Sequence, residues 1–352
     1  MDFKKNILIV ETSQGHYELL FSFKKALETQ FHVSFAIQNP LHFQDQGLNQ
    51  EEALVLSGSR WQQINQISEY CKKKSIETVV FNTAAGSLVF WMSFRLKLMG
   101  LQLFGVLHNA YKLESVGSLT LLRQFFSGFI FLNENIHKRW AAKALPQKST
   151  YFYPCYFKKS AQGHSSKDSQ LRIGVIGQVE KKRKDLDSLV ITAQTLKEKN
   201  RNDFCFQIIG NSSTREGQEF KHHISNLGLE NYFQFYNKRL SQDEMMAEIE
   251  KCDLVAPLIH PETDYAQYYI DSKISGAINL ALGFHKPLLI HSFLPQEEFK
   301  NWSIFYGERN LSNILIELQN RRDVLTTVVQ TLKADSRIHL QNQALRLNQL
   351  FI

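Results

Sequence analysis

The sequence predicts an α/β protein made of two doubly wound, Rossmann-like domains in tandem, with a cleft between them. Three observations carry this expectation. Short apolar runs alternate with segments of helical spacing along most of the chain. The alternation stops at one polar stretch, residues 158–170, and then restarts. The length of 352 residues suits two domains of ordinary size, each with its own core.

In the first half, the run at 6–10 stops at a polar turn, Glu11-Thr12-Ser13-Gln14-Gly15-His16. Residues 17–29 then carry Leu19, Leu20, Phe23, Ala26 and Leu27 at helical spacing. Further strands are predicted at 32–37, 78–81, 103–107, 129–132 and 151–153. These runs are apolar throughout rather than alternating, which fits a parallel sheet covered on both faces. Beyond the polar stretch, strands are predicted at 171–176, 204–209, 232–236, 253–256 and 287–290. Helices fall at 185–196, around Phe220, Ile224 and Leu227, and at 272–282. Another runs from the capping box Ser241-Gln242-Asp243-Glu244 to Lys251. The tail at 322–349 reads as one long amphipathic helix. The expected organisation is a first domain at 1–160, a linker at 161–170, a second domain at 171–321 and a helix at 322–352 that packs back on the first domain.

Composition narrows the class. With 43% hydrophobic and 21% charged residues and 7 prolines, the chain is globular rather than disordered. Its four cysteines, Cys71, Cys155, Cys205 and Cys252, form no CxxC pair, which argues against a disulfide framework and a zinc site. The opening run is too short for a secretion signal and no stretch is long enough to span a bilayer, so the expectation is cytoplasmic. Charge is uneven: residues 1–160 hold 18 Lys and Arg against 11 Asp and Glu, while 161–352 hold 23 of each. A basic first half suits an anionic ligand or an anionic membrane surface, the latter implying peripheral contact with the inner face. It is equally a mildly basic soluble domain. The stretch 87–104, SLVFWMSFRLKLMGLQLF, suits a core helix against the first sheet, or an interfacial helix whose Arg95 and Lys97 snorkel. No nucleic-acid partner is expected.

In sheets of this kind ligands bind beyond the carboxyl ends of the strands, so the loops there are the candidates. The strongest is LRIGVIGQVEKKRKDLDSL at 171–189. A buried strand ends at Gly177, a basic cluster from Lys181 to Arg183 and Lys184 follows, and a helix begins. Glycine lets the backbone approach a ligand and the cations suit phosphate oxygens. A solvated basic turn is the plainer alternative. The second is 252–291, where a strand, a polar loop with Glu262, a helix and a strand after Lys286-Pro287 occur in order. Within it, Asp271-Ser272-Lys273-Ile274-Ser275-Gly276 opens a helix, where free N–H groups and the dipole favour anions. Lys273, Ser275 and Gly276 are therefore expected to hold a diphosphate together with Lys184. The third is His108-Asn109, after the strand at 103–107. The fourth is Gly15-His16, after the first strand, where His16 could act as a general base. No Walker A loop, HExxH or GxGxxG follows a strand.

The two segments at 171–189 and 252–291 resemble the carboxy-terminal domain of glycosyltransferase family 4, a retaining family of the GT-B fold. Lys184 falls where that family places a diphosphate-binding lysine. Its arginine position is Gln178 here, with Arg183 nearby. Glu262 aligns with the first glutamate of the family's pair, while the ribose-binding second falls on Ile270 or Leu280. His108 and Asn109 match the family's residues near the reacting sugar. The resemblance implies transfer of a sugar from a nucleotide-sugar donor to a glycan or lipid-linked acceptor, with retention, no metal and no cofactor. A non-catalytic nucleotide-sugar-binding or scaffold protein and a sugar-nucleotide epimerase are the alternatives.

Overall fold

The computed structural model describes residues 4–13, 15–114, 122–143, 147–158 and 169–352. The chain divides into two compact units. One comprises Met1–Lys158, Asp271–Lys273 and Ser336–Ile352; the other comprises Lys159–Ile270 and Ile274–Asp335. Most of the stretch expected as a linker lies outside the described residues, as does Gln14 in the first loop.

The first unit is built on β1 (Lys5–Glu11), β2 (Phe31–Ile37), β3 (Ala53–Val55), β4 (Thr78–Phe81), β5 (Gln102–Leu107), β6 (Gly128–Phe131) and β7 (Lys148–Tyr151). They form one parallel sheet in the order β3-β2-β1-β4-β5-β6-β7. Strand β1 lies inside the sheet between β2 and β4, and its Ile7, Leu8, Ile9 and Val10 are at most 1% exposed. Each such buried side chain contributes roughly 1.5–3 kcal/mol relative to exposure. The terminal helix Leu340–Phe351 belongs to this unit and is tied down by Gln343, which is fully buried. The Gln343 Oε1 accepts from the Tyr153 N–H at 2.6 Å and its Nε2 donates to the Tyr153 carbonyl at 3.0 Å.

The second unit holds β8 (Leu171–Ile176), β9 (Phe204–Asn211), β10 (Phe233–Tyr236), β11 (Leu254–Val255), β12 (Leu288–His291) and β13 (Ser303–Tyr306). The sheet is again parallel, in the order β10-β9-β8-β11-β12-β13. In both sheets the order reverses beside the unit's first strand, between β1 and β4 and between β8 and β11. At such a switch point the neighbouring loops run to opposite faces and leave a crevice at the strands' carboxyl ends.

Two expected helices differ from those found. The helix placed at 272–282 is two, Ala266–Asp271 and Gly276–Gly283, with Ser272–Ser275 outside both. The single tail helix is broken into Arg322–Ala334, a turn at Ser336–Ile338, and Leu340–Phe351. The break has a physical cause at Asp335, whose backbone is extended. Its Oδ2 accepts from the indole N–H of fully buried Trp302 at 2.9 Å, a tertiary bond that a continued helix would lose.

Candidate functional site

The switch point of the first unit is lined by polar groups that no spacing rule singles out. Glu11 ends β1 and is fully buried. One carboxylate oxygen accepts from the Ser13 N–H at 2.6 Å; the other accepts from Asn82 Nδ2 at 2.6 Å and from the Thr83 hydroxyl at 2.8 Å. Asn82 and Thr83 follow β4 directly. Burial pushes the Glu11 carboxyl above the usual carboxylate range, and the bonds from Ser13, Thr83 and Asn82 oppose that push.

This network holds His16 and His108 together. Their rings stack at 3.6 Å. His16 sits in the left-handed region at φ 67°, a conformation that costs a non-glycine residue on the order of 1 kcal/mol. Its carbonyl is held there by Asn82 Nδ2 at 2.9 Å. His108 follows β5, and its Nε2 lies 2.7 Å from the Asn82 carbonyl. A carbonyl only accepts, so Nε2 carries the proton and Nδ1 is the acceptor. Burial, with His16 beside it, lowers His108 to about 3, so the ring is neutral near pH 7. His16 titrates above its ordinary value: burial pulls it down, but Glu18, 3.5 Å away, outweighs burial. One imidazole thus favours charge while its stacked neighbour refuses it.

In the second unit, β8 is followed by Gly177, whose φ of 102° favours glycine. A Cβ on Gly210, at the end of β9, would lie 2.1 Å from the Gly177 carbonyl, so the two loops approach as closely as glycine allows. Lys184 folds back over this turn. It is 8% exposed, and its Nζ donates to the Ile176 carbonyl at 2.8 Å. Burial, with Arg183 adding to it, lowers Lys184 to about 8. Arg183 pairs with Glu180 at 2.8 Å and lies 5.8 Å from the Tyr265 ring. The loop after β11 is joined to this turn through Asp185. The Asp185 N–H donates to the Leu258 carbonyl at 2.9 Å, and its carboxylate caps the helix Leu186–Glu198 through Ser188. His260, two residues beyond Leu258, meets His291 at the end of β12 edge-to-face at 4.6 Å.

The sequence candidates therefore sort unevenly. His16 and His108 are brought together. Asn109 caps the turn Ala110–Leu113, its Oδ1 accepting from the Tyr111 N–H at 3.1 Å. Gly15 is exposed, with open space where a Cβ would be. Arg183 and Lys184 share the β8 turn. Glu262 keeps 88% of its side chain exposed, and its N–H donates to His260 Nδ1 at 3.2 Å. Ser275 is the N-cap of the helix that Gly276 opens, with no side-chain capping bond. Lys273 precedes that helix instead of lying in its first turn, and it groups with the first unit. Sequence reasoning missed Glu11, Asn82, Thr83, His260 and His291. The one signal available for the first three was that they occupy polar turns directly after apolar runs. Among the described residues no cluster of three or more His, Cys, Asp or Glu suits a metal ion.

No protein-family model and no curated protein matches the chain in sequence. Solved structures match it along its whole length. HepE of Anabaena, solved with UDP, has a TM-score of 0.67 at 15% identity, covering 99% of each chain. Sucrose-phosphate synthase from Thermosynechococcus elongatus has a TM-score of 0.66 at 11% identity, covering 99% of this chain and 98% of its own. The UDP-GlcNAc 2-epimerase of Neisseria meningitidis, solved with UDP-GlcNAc, has a TM-score of 0.63 at 10% identity, covering 98% and 99%. At these identities the likeness is one of fold, and with the two parallel sheets it establishes that the chain has the GT-B fold of two Rossmann-like domains.

Proposed function

We propose that the chain is a glycosyltransferase that moves a sugar from a UDP-sugar donor to a hydroxyl of a glycan or lipid-linked glycan. The observation that carries this is Lys184. A lysine buried at the β8–β11 switch point, with its pKa lowered, is a cation short of counter-charge where this sheet type binds ligands. A diphosphate supplies that charge. Arg183 and the N–H groups of Ser275 and Gly276, at the start of the helix Gly276–Gly283, are the further donors assigned to it. They neutralise the leaving diphosphate, so the reaction needs no divalent metal. On the first unit, the His108 Nδ1 accepts from a substrate hydroxyl while His16 carries the charge. Glu262 and Asn109 receive no chemical step: one is exposed and the other is engaged as a cap. Retention of configuration rests on the family 4 resemblance alone. The uridine choice rests on HepE, solved with UDP and with UDP-glucose.

Calorimetry with UDP and UDP-sugars tests the reading. Binding is expected, and Lys184→Met weakens it roughly 10–100-fold, the loss of one charged hydrogen bond. Lys184 is charged below about pH 8, so affinity holds to that pH and falls as pH rises through it. Absence of UDP binding, or an unaltered affinity in Lys184→Met, rejects the site. Epimerase structures are among the fold relatives, which favours one second reading: epimerisation of a UDP-sugar. Incubation without acceptor separates the two, because an epimerase yields a new UDP-sugar and a transferase does not.

A further inference from the structure

The helix Ser87–Leu98 has apolar residues on both faces. Val89, Met92 and Leu96 pack into the core of the first unit. The opposite face leaves Trp91, Phe94 and Leu98 exposed, Leu98 by 67%. Trp61, from the first turn of the neighbouring helix Arg60–Lys73, is 62% exposed and joins this face, its ring 5.8 Å from that of Trp91. Phe94 in turn lies 6.3 Å from Trp91. A surface helix normally keeps a polar outer face. Here two indoles, a phenyl ring and a leucine stand together in water, which marks an interaction site.

The charges around the patch select its occupant. Arg60, Arg95 and Lys97 are exposed and make no ion pair among the described residues. The helix Ser87–Leu98 contains no acidic residue. From 53 to 104 six Lys and Arg face two acids, Glu69 and Glu77. A protein partner wants complementary charge in specific places, whereas an anionic bilayer takes indole, phenyl and leucine below the headgroups and any cation beside them. A helix of 12 residues is too short to span, so it would lie in the interface. We propose that the face formed by Trp61, Trp91, Phe94 and Leu98 docks the protein on an anionic lipid surface, with Arg60, Arg95 and Lys97 at the headgroups. The proposal goes beyond the donor site and does not depend on it.

The full chain is mixed with phosphatidylcholine vesicles, with and without phosphatidylglycerol, whose acyl chains carry bromine. Of the four tryptophans, Trp140 and Trp302 are buried, so bromine quenching reports on Trp61 and Trp91. Quenching is expected on the anionic vesicles and is expected to fall as salt rises. Arg95→Gln with Lys97→Gln lowers the partition coefficient about fivefold per cation. Leu98→Asp, at a side chain too exposed to matter for folding, lowers it about tenfold or more. UDP calorimetry on the same variants stays at the wild-type value, which separates this proposal from the donor site. No quenching on anionic vesicles at low salt overturns it. So does partition unchanged in both variants, self-association that protects Trp61 without lipid, or quenching by soluble oligosaccharide but not by vesicles.

Discussion

The two switch points use opposite electrostatics. In the first unit the buried charge, Glu11, is surrounded by donors from three residues, and the stacked histidines rest on the same frame. In the second, the buried charge, Lys184, has a single carbonyl in hydrogen-bond reach among the described residues. A satisfied buried ion holds loops in place, whereas an under-satisfied one is a standing cost that a ligand can relieve. The first arrangement therefore supports His16 and His108, and the second fits the diphosphate site proposed for Lys184.

Substitution at the buried charges breaks this contrast most directly. Glu11→Gln keeps the shape but turns an NH2 group against the donors of Ser13, Asn82 or Thr83. A loss of about 2–4 kcal/mol is expected in urea unfolding, from stranded buried donors. Lys184→Met should do the reverse. A lysine whose folded pKa lies below its unfolded one costs stability wherever it is charged, and that cost vanishes only as pH rises from about 8 toward 10.5. Removing the charge at pH 7 is expected to stabilise the fold by roughly 1–3 kcal/mol, while UDP affinity falls. A Lys184→Met variant that is less stable than wild type would show the lysine to be structural and would erase the difference between the two units.

The same contrast explains what the sequence revealed. Strands at Thr78–Phe81 and Leu171–Ile176 are found with the bounds their apolar runs imply, because central parallel strands are buried on both faces. The edge strands β3 and β13 escaped notice: each is three or four residues long and only partly buried, so no apolar run marks it. The positions of His108, directly after β5, and of Lys184, eight residues after the last residue of β8, could be read from the apolar runs before them. Glu11 was not, because its burial depends on Asn82 and Thr83, 71 and 72 residues away. Lys273 was misplaced because helical spacing runs across Ser272–Ser275, and nothing local records that the Ala110 N–H bonds the Ser272 carbonyl.

The histidine pair sharpens the contrast through pH. A His whose folded pKa lies far below its unfolded value contributes stability above about pH 6.5, and that contribution is lost as pH falls toward 3. At pH 5 the cost of keeping His108 neutral is about 2 kcal/mol. Thermal melts from pH 7 to pH 5 should therefore show a smaller decline in His108→Asn than in wild type. His16 works the other way: its raised pKa adds stability at low pH that disappears as pH climbs through the folded value. A decline equal in variant and wild type would mean that burial does not hold His108 neutral over this range.

The smallest effect belongs to Asn109, and it decides between a chemical and a structural role. If its side chain serves only as the cap of Ala110–Leu113, Asn109→Ala costs about 0.5–2 kcal/mol, the usual range for losing such a cap. Asn109→Ser, which can also cap, recovers most of that loss. Turnover of the UDP-sugar, once an acceptor is known, should then follow the folded fraction in both variants. A contribution to chemistry would separate the two quantities: Asn109→Ser would restore the melting temperature and leave turnover low. That outcome would return Asn109 to the reacting centre beside His108, and would mean that the first unit's polar frame positions more than the two stacked rings.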